Sequence, residues 1–436
     1  MASSDLNRSH DPARRSWVES ANAGGDFPLQ NLPFGVFRRE GEAPRGGVAI
    51  GEQILDLPTV LAAGLLHGEA VAAARAAAGP VLNPLLALSP AARSALRLAL
   101  GDLLDADAPR GRAAAARAAD LLVPMAEAAL LPPVAIGGFT DFLASIHHTR
   151  RMGTGRLPPA FLHQPLAYAG RASSIGVSGA TVCRPCGQWR DEAGVLHFGP
   201  EPWLDFELEV GAFVAGGNAL GTPIPIAAAA EHLFGCCLLN DWSARAMQRF
   251  ETIPLGPFTG KSFATTISPW IVTVEALAPF RVPAAPRGPE EAPVPPHLAA
   301  PADQAAGAFA IALEALLLTP RLRAAGAEPA PITRTAFAGM YWTLAQMLAQ
   351  HASNGCNLLP GDLFASGTTS GAEDTSCACL AERTRYGAAP LALPDGEQRA
   401  WLEDGDEVIL RGRATAPGRV PIGFGECRAR VVPALV

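Results

Sequence analysis

The stretch from Trp203 to Val210 alternates apolar and acidic side chains, and it limits the fold more than any other segment. A period of two is typical of a β-strand, whose successive side chains point to opposite faces. Carboxylates two positions apart would lie ~7 Å from each other on one face. An exposed face of this kind would simply be solvated, whereas a buried one needs a cation to offset the repulsion, and oxygen ligands favour Ca²⁺ or Mg²⁺. The apolar positions are Leu204, Phe206, Leu208 and Val210, and the acidic positions are Asp205, Glu207 and Glu209.

Changes in composition divide the chain into three parts. Residues 1–27 are rich in Ser, Asn, Asp, Gly and Arg, which predicts a disordered tail. Residues 28–131 begin with short strand-like stretches and continue from about Pro58 as an Ala- and Leu-rich segment, which predicts a small β unit completed by helices. Leu131-Pro-Pro133 marks the boundary. Residues 132–436 contain short strands separated by Gly and Pro with a few helices, so we predict a mainly β fold of the α+β class.

Charge and hydropathy argue against several classes of function. The 436 residues carry a net charge of −7, which gives no reason to expect a nucleic acid or an anionic membrane as partner. No apolar run approaches the ~18 residues that cross a bilayer. The first 27 residues lack the apolar core of a secretory signal, so we predict a cytoplasmic location. Cys183 and Cys186 form a single Cys-X-X-Cys motif, without the second pair of cysteines that structural zinc prefers. Most of the eight Cys are predicted to be buried free thiols.

A second set of polar residues lies between Gly138 and Thr149. Thr140 is a suitable N-cap, so Asp141 is predicted to open a helix. His148 follows seven residues later, which is two helical turns, and would share a face with Asp141. Taken alone, each has an ordinary structural explanation, such as a carboxylate beside the helix dipole for Asp141.

The stretch from Asn240 to Glu251 carries a third set. Asp241, Arg245 and Gln248 are spaced four and three residues apart, which is one face of a helix. A surface salt bridge would explain this spacing. Alternatively, Arg245 and Gln248 would bind a carboxylate or an enolate, with Asp241 turned toward a metal.

The segment Leu255–Ser262 resembles a phosphate-binding loop but does not match one. The Walker motif places four residues between its glycines, and Gly256 and Gly260 enclose three. No strand–helix–strand repeat surrounds the segment, so nucleotide binding is not predicted. Lys261 remains as a single charge between Gly and Ser.

From about Leu32 to Pro433 the chain resembles the fumarylacetoacetase family. The resemblance rests on long strings, which are Asn31-Leu-Pro-Phe-Gly-Val-Phe37, Gly170-Arg-Ala-Ser-Ser174, Asn240-Asp-Trp-Ser-Ala-Arg245, Pro254-Leu-Gly-Pro-Phe258, Gly260-Lys-Ser-Phe263, Asn354-Gly-Cys-Asn-Leu358, Pro360-Gly-Asp-Leu363 and Ile422-Gly-Phe-Gly425. It implies a small SH3-like barrel in residues 28–131, a catalytic β-roll in residues 132–436, and a homodimer.

The resemblance also implies the site. It implies a divalent cation, Mg²⁺ or Ca²⁺, with His148 as the general base and Glu382 as the carboxylate that orients it. Arg245, Gln248 and Lys261 match the groups that stabilise the oxyanion and the leaving carbanion. The implied metal ligands are Asp141, Glu207, Glu209 and Asp241, with Lys261 and Thr265 at a second, smaller cation site. The implied substrate contacts are Tyr168, Thr368, Leu143, Thr252 and an arginine after His148, which is Arg156 or else Arg151.

The implied reaction is hydrolysis of a carbon–carbon bond in a 1,3-diketo acid, in which the leaving carbon departs as an enolate. With the family's own substrate, fumarylacetoacetate gives fumarate and acetoacetate, the last step of tyrosine and phenylalanine catabolism. Leu143 and Thr252 stand where the family has tyrosines, and the loop after His148 is shorter. A different acylpyruvate or β-diketone substrate, and decarboxylation or condensation instead of hydrolysis, therefore stay open. A non-catalytic paralogue is the alternative outside enzymes, and the complete set of carboxylates with His148 argues against it.

Overall fold

The Ala-rich segment folds into short helices, four of which begin with a proline in the first turn. The Asp56 carboxylate accepts the Thr59 N–H and Ser89 accepts the Ala92 N–H, while prolines occupy the first turns. The computed structural model describes residues 6–289 and 291–435. In that part of the chain the helices of this segment are Leu57–Ala62, Glu69–Ala77, Asn83–Leu86, Pro90–Leu104, Pro109–Ala115 and Ala118–Leu121.

An antiparallel sheet precedes and follows these helices. Gly46 lies where the helix Glu69–Ala77 crosses the sheet, and a Cβ there would lie 1.7 Å from the Ala77 carbonyl oxygen, so only glycine fits. The pairings found in the described chain leave Leu122–Pro124 and Ala129–Leu131 at the two edges. In spatial order, the strands are Leu122–Pro124, Gln53–Asp56, Arg45–Ile50, Phe34–Arg38 and Ala129–Leu131.

The prediction of a disordered tail is wrong for residues 6–27, and residues 1–5 lie outside the described residues. Short 3₁₀ helices form at Arg8–His10 and Glu19–Asn22. The segment is held because its polar groups find distant partners: the Trp17 indole N–H donates to the Leu103 carbonyl at 2.9 Å. Val18, Ala21 and Phe27 are buried, which the polar composition of the segment hides.

Two further sheets form the framework of the rest of the described chain. They pack together where the side chain of Leu238 fills the space above Gly412. The first contains Ala167–Ala169, Phe139–Phe142, Leu363–Ala365, Leu208–Val214, Leu233–Asp241, Thr265–Ile267 and Ile175–Val177 in spatial order, with Val272–Thr273 also paired to Leu233–Asp241. The second contains Ala330–Ala336, Ile311–Leu318, Glu407–Ala414, Ile422–Val432 and Thr181–Cys183.

Short elements connect and cover these sheets. The paired short strands are Cys186–Arg190 with Leu196–Pro200, Leu204–Asp205 with Ser243–Ala244, Arg281–Val282 with Ala308–Phe309, and Leu391–Ala392 with Gln398–Arg399. The α-helices are Ile146–Met152, Ile226–Ala229, Arg245–Glu251, Thr259–Ser262, Pro301–Ala306, Pro320–Ala324, Leu344–Ala352 and Leu380–Arg383. Further 3₁₀ turns lie at Met125–Glu127, Ala172–Ser174, Ala230–His232, Ala278–Phe280, Pro296–Leu298, Phe337–Gly339 and Asp374–Ser376.

The fold thus combines curled sheets with short helices, which agrees with the predicted α+β class. One hydrophobic cluster joins the two main parts of the chain, residues 28–131 and residues 132–436. Leu57 and Leu100 of the first part share it with Phe213 and Ile271 of the second. Among the residues described, no helix combines the length and the apolar character that crossing a membrane requires.

Candidate active site

Four acidic side chains converge at the end of the larger sheet. One carboxylate oxygen from each lies within 4.8 Å of the others, and all four side chains are buried. The sheet creates this convergence, because the strands that carry them are neighbours or pair with a common strand. The residues are Asp141 on Phe139–Phe142, Glu207 just before Leu208–Val214, Glu209 within that strand, and Asp241 at the end of Leu233–Asp241.

Two oxygens of this acidic cluster lack a hydrogen-bond donor. Asp141 Oδ1 and Glu209 Oε1 are buried and have no hydrogen-bond partner in the described chain. Burial, followed by repulsion from Asp241, raises the pKa of Asp141 well above its ordinary value. Burial and the Asp141 charge do the same to the pKa of Glu209. Orphaned carboxylate oxygens that repel one another are the donor set a hard divalent cation requires, so these residues fit the metal that the sequence implies.

Lys261 partly compensates the cluster. Its ammonium group contacts Glu207 Oε2 and lies 2.6 Å from Asp241 Oδ2. Asp241 is further held by the Tyr168 hydroxyl, which donates at 2.7 Å, and by the Thr265 hydroxyl at 3.3 Å. Thr265 therefore lies behind the cluster, on Asp241, and its place at a second cation site stays a prediction.

Arg245 connects the cluster to the helix Arg245–Glu251. Its guanidinium donates to Glu207 Oε1 at 2.8 Å, to Asp205 Oδ2 at 2.9 Å and to Gln248 Oε1 at 3.1 Å. Burial opposes the ionisation of Glu207, but the Lys261 and Arg245 charges outweigh it and hold the pKa of Glu207 well below its ordinary value. Both oxygens of Glu207 therefore have cationic partners, whereas Glu209 Oε1 has no partner in the described chain.

His148 lies beside the cluster on the helix Ile146–Met152, which Ser145 caps. Its Nδ1 is 2.7 Å from Glu382 Oε2, and its Nε2 is 3.4 Å from the Thr368 hydroxyl and 3.9 Å from Glu207 Oε1. Burial would raise the pKa of Glu382, but the His148 charge and hydrogen bonds from His148, Ser370 and Cys379 lower it to about 2. A carboxylate on Nδ1 selects the tautomer with its proton there, which leaves the Nε2 lone pair free to accept a proton.

A cavity of about 380 Å³ opens in front of these groups. It also has an apolar wall, whose side chains come from several separate segments of the chain. The polar lining consists of Asp141, His148, Tyr168, Glu207, Glu209, Arg245, Gln248, Lys261 and Thr368, and the apolar lining includes Phe142, Leu143, Met152, Leu166, Leu255 and Pro257.

Three local predictions are wrong. Asp141 does not open a helix: Thr140 and Asp141 lie in a strand paired to Leu363–Ala365, and the helix begins at Ile146. Asp241 ends a strand, so only Arg245 and Gln248 share a helix. The single strand predicted from Trp203 to Val210 is interrupted after Asp205 and resumes at Leu208.

Two predicted substrate contacts lie outside the cavity. Arg156 is exposed and does not line it. Thr252 is also absent from the lining, and its hydroxyl donates to the Gln248 carbonyl oxygen at 2.5 Å. The alternative arginine, Arg151, is turned toward Glu382.

Sequence reasoning missed the residues that hold the site in place. Asp205 accepts the Leu380 and Ala381 N–H groups as well as Arg245. Glu201 accepts the N–H groups of the first turn of Arg245–Glu251. No sequence pattern marks Glu201 as a functional residue, because the N–H groups that it accepts belong to residues 45 and 46 positions later in the chain.

Comparison with known proteins identifies relatives of this chain. Residues 30–133 match the family described as fumarylacetoacetase N-terminal, and residues 138–432 match fumarylacetoacetate (FAA) hydrolase C-terminal. The chain is 45% identical to a fumarylacetoacetase of Oryza sativa subsp. japonica, over 97% of this chain and 98% of that protein. It is 42% identical to a fumarylacetoacetase of Homo sapiens, over 94% of this chain and 97% of that protein.

A solved structure shares the fold. The fumarylacetoacetate hydrolase of Exiguobacterium antarcticum superposes with a TM-score of 0.50 and 16% identity, over 92% of this chain and 99% of that one. At this identity the likeness concerns the fold alone.

Proposed function

This chain belongs to the fumarylacetoacetase family, and we propose that it hydrolyses fumarylacetoacetate to fumarate and acetoacetate, the last step of tyrosine catabolism. The observation that carries the proposal is that a buried carboxylate cluster and His148, which is paired with Glu382, meet at one cavity. A cluster that binds a cation and a base that activates water are the two parts that carbon–carbon hydrolysis of a 1,3-diketone needs.

His148 is the general base in this proposal. Its Nε2 takes a proton from the attacking water, and Glu382 stabilises the imidazolium that forms on the Nδ1 side. Arg245, Gln248 and Lys261 line the cavity and stabilise the negative charge that develops on the substrate oxygens. A divalent cation on the four carboxylates would add positive charge beside the leaving enolate.

The side chains at the apolar wall support a second substrate class. Leu143 lines the cavity where the family has a phenol, and Thr252 leaves it altogether. An acylpyruvate or another β-diketone that lacks a second carboxylate would suit this wall better than a diacid does. Decarboxylation and condensation would use the same cation and base.

The direct test is the loss of diketone absorbance when the protein is mixed with fumarylacetoacetate and Mg²⁺ or Ca²⁺. We expect turnover, and we expect His148→Ala to reduce kcat by about 10²–10⁴-fold with the metal still bound. Loss of absorbance with an acylpyruvate but not with fumarylacetoacetate would favour the second substrate class. No reaction with either would contradict the proposed function, and unchanged turnover in His148→Ala would contradict the base assignment.

Several finer properties belong to the same proposal. We propose that the cation is Mg²⁺ or Ca²⁺, with Arg156 and Thr252 outside the first contacts of the substrate. The chain would act as a homodimer in the cytoplasm, with an SH3-like N-terminal barrel in residues 28–131 and the catalytic unit in residues 132–436. Calorimetric titration with each metal and light scattering in solution test the metal and the dimer.

A further inference from the structure

The two oxygens of Glu382 have different partners. Oε2 accepts from His148 Nδ1 at 2.7 Å, from the Ser370 hydroxyl and from the Cys379 thiol at 3.3 Å. Oε1 is 3.3 Å from Arg151 Nη1, which is its one side-chain donor in the described chain. The orientation of the carboxylate toward His148 therefore depends on what holds Oε1.

Arg151 is placed to hold it. It follows His148 by three residues on the helix Ile146–Met152, so both side chains extend from one helix face. The same guanidinium donates to the Gly371 carbonyl at 2.8 Å and to the Ala372 carbonyl. One side chain thus ties the helix that carries the base to Glu382 and to the segment that follows Thr368.

These contacts also argue against a role in substrate binding. The donors of Arg151 that the structure places are committed to Glu382 and to the two carbonyl groups, and the side chain does not line the cavity. Arg150, its neighbour, is half exposed, and its one ion pair within the described residues is a 3.7 Å contact to Glu291. The two adjacent arginines therefore offer a matched pair for comparison.

We propose that Arg151 is a positioning residue that acts on the base through Glu382. By fixing Oε1 it aims Oε2 at Nδ1, which keeps the proton on that nitrogen and the Nε2 lone pair toward the cavity. The kinetic consequences rest on the proposed hydrolysis, whereas the effect on the His148 ring does not.

The kinetic test compares Arg151→Gln, Arg151→Lys and the control Arg150→Gln with the wild type. Arg151→Gln should lower kcat by about 10–100-fold with KM within about twofold, because the base is misaligned and the cavity wall is untouched. Arg151→Lys should recover part of the loss, since it restores the charge near Oε1. Arg150→Gln should match the wild type.

A double-mutant cycle asks whether Arg151 acts through Glu382. In a Glu382→Gln background, Arg151→Gln should cause little further loss of kcat. An undiminished loss in that background would overturn the proposal in favour of a general structural role. A rise in KM alone would overturn it in favour of substrate contact, and an unchanged kcat would overturn it outright.

A spectroscopic test needs no turnover. In protein with ¹⁵N-labelled histidine, the His148 ring should show the Nδ1–H tautomer in the wild type and in Arg150→Gln, and a mixed state in Arg151→Gln. Identical His148 spectra in all three would overturn the proposal. If the wild type failed to hydrolyse the diketone, the proposed function would fail while this test still decided the role of Arg151.

Discussion

Glu207 and Glu209 lie two residues apart, yet the protein gives their carboxylates opposite environments. Lys261 and Arg245 hold the pKa of Glu207 down, whereas burial and the charge of Asp141 push the pKa of Glu209 up. Environments that separate two neighbouring acids in this way are typical of functional sites. Glu207 anchors the cationic side chains, and Glu209 supplies an oxygen that is still without a partner.

This difference predicts how Glu209→Gln behaves. Without metal, the variant should melt at a higher temperature than the wild type, because burial and the charge of Asp141 make both the ionised and the protonated form of Glu209 costly near neutral pH, and a neutral amide avoids that cost. With metal, the order should reverse. A cation at 100 times its Kd stabilises the wild type by about 2.7 kcal/mol, and the variant should lose most of that gain. Thermal melts in EDTA and in Mg²⁺ or Ca²⁺ measure both effects.

The control for this prediction is Glu403→Gln, an exposed acid far from the cluster in sequence. It should keep the full metal-dependent rise in melting temperature. If Glu209→Gln responded to metal as this control does, the assignment of Glu209 as a ligand would be wrong.

At the scale of elements, sequence reasoning was most successful where a pattern is local. The alternation from Trp203 to Val210 correctly indicated β-structure on both sides of Glu207, although the strand is interrupted there, and the spacing of Arg245 and Gln248 correctly indicated a shared helix. It failed at Asp141, because a strand partner more than 200 residues away overrides the local cap signal of Thr140. The contact between Asp205 and Arg245, 40 residues apart, depends on another pairing, that of Leu204–Asp205 with Ser243–Ala244.

Glu251 anchors the loop between the helices Arg245–Glu251 and Thr259–Ser262. The Glu251 carboxylate accepts the N–H groups of Phe258, Thr259 and Gly260 at 2.8–3.0 Å. Leu255 and Pro257 of this loop line the cavity. The start of the helix that carries Lys261 therefore depends on this one side chain.

Glu251→Gln should loosen the loop. Charge-assisted hydrogen bonds are lost, so the free energy of unfolding should fall by about 1–2 kcal/mol and KM should rise. Burial opposes the ionisation of Glu251, but the hydrogen bonds from Thr259, Gly260 and Phe258 lower its pKa. Its stabilisation is therefore present above the ordinary pKa of ~4.3 and is lost as the pH falls through the lowered value.

Urea unfolding at pH 7 and at lower pH tests this, with the exposed Glu373→Gln as control. The gap in stability between Glu251→Gln and the wild type should be widest near neutral pH and shrink in acid. A constant gap at all pH values, or a KM equal to that of the control, would show that the carboxylate does not hold the loop.

For the whole molecule, residues 6–27 connect the two parts of the chain. The Asn7 amide donates to Glu275 at 2.8 Å, and the buried Arg97 donates to Ser9 and to the Gln30 and Asn31 carbonyls. Composition gave no sign of this, because the polar groups of the segment are satisfied by residues from distant elements rather than by water. The buried apolar residues of the segment are Val18, Ala21 and Phe27.

Phe27 adds an apolar contact between this segment and the rest of the molecule. Its ring packs edge-on against Trp270 at 5.9 Å and joins a small cluster with Phe37, Ala49 and Ile54 of the N-terminal sheet. Phe27→Ala should therefore cost about 3 kcal/mol of unfolding free energy, measured by urea denaturation, and should lower the unfolding midpoint of both parts of the chain together. Leu6→Ala, at a half-exposed position of the same segment, should change stability by less than about 0.5 kcal/mol. Equal and negligible effects of the two substitutions would mean that the segment behaves as a free tail in solution, because only a packed segment can distinguish a buried ring from an exposed one.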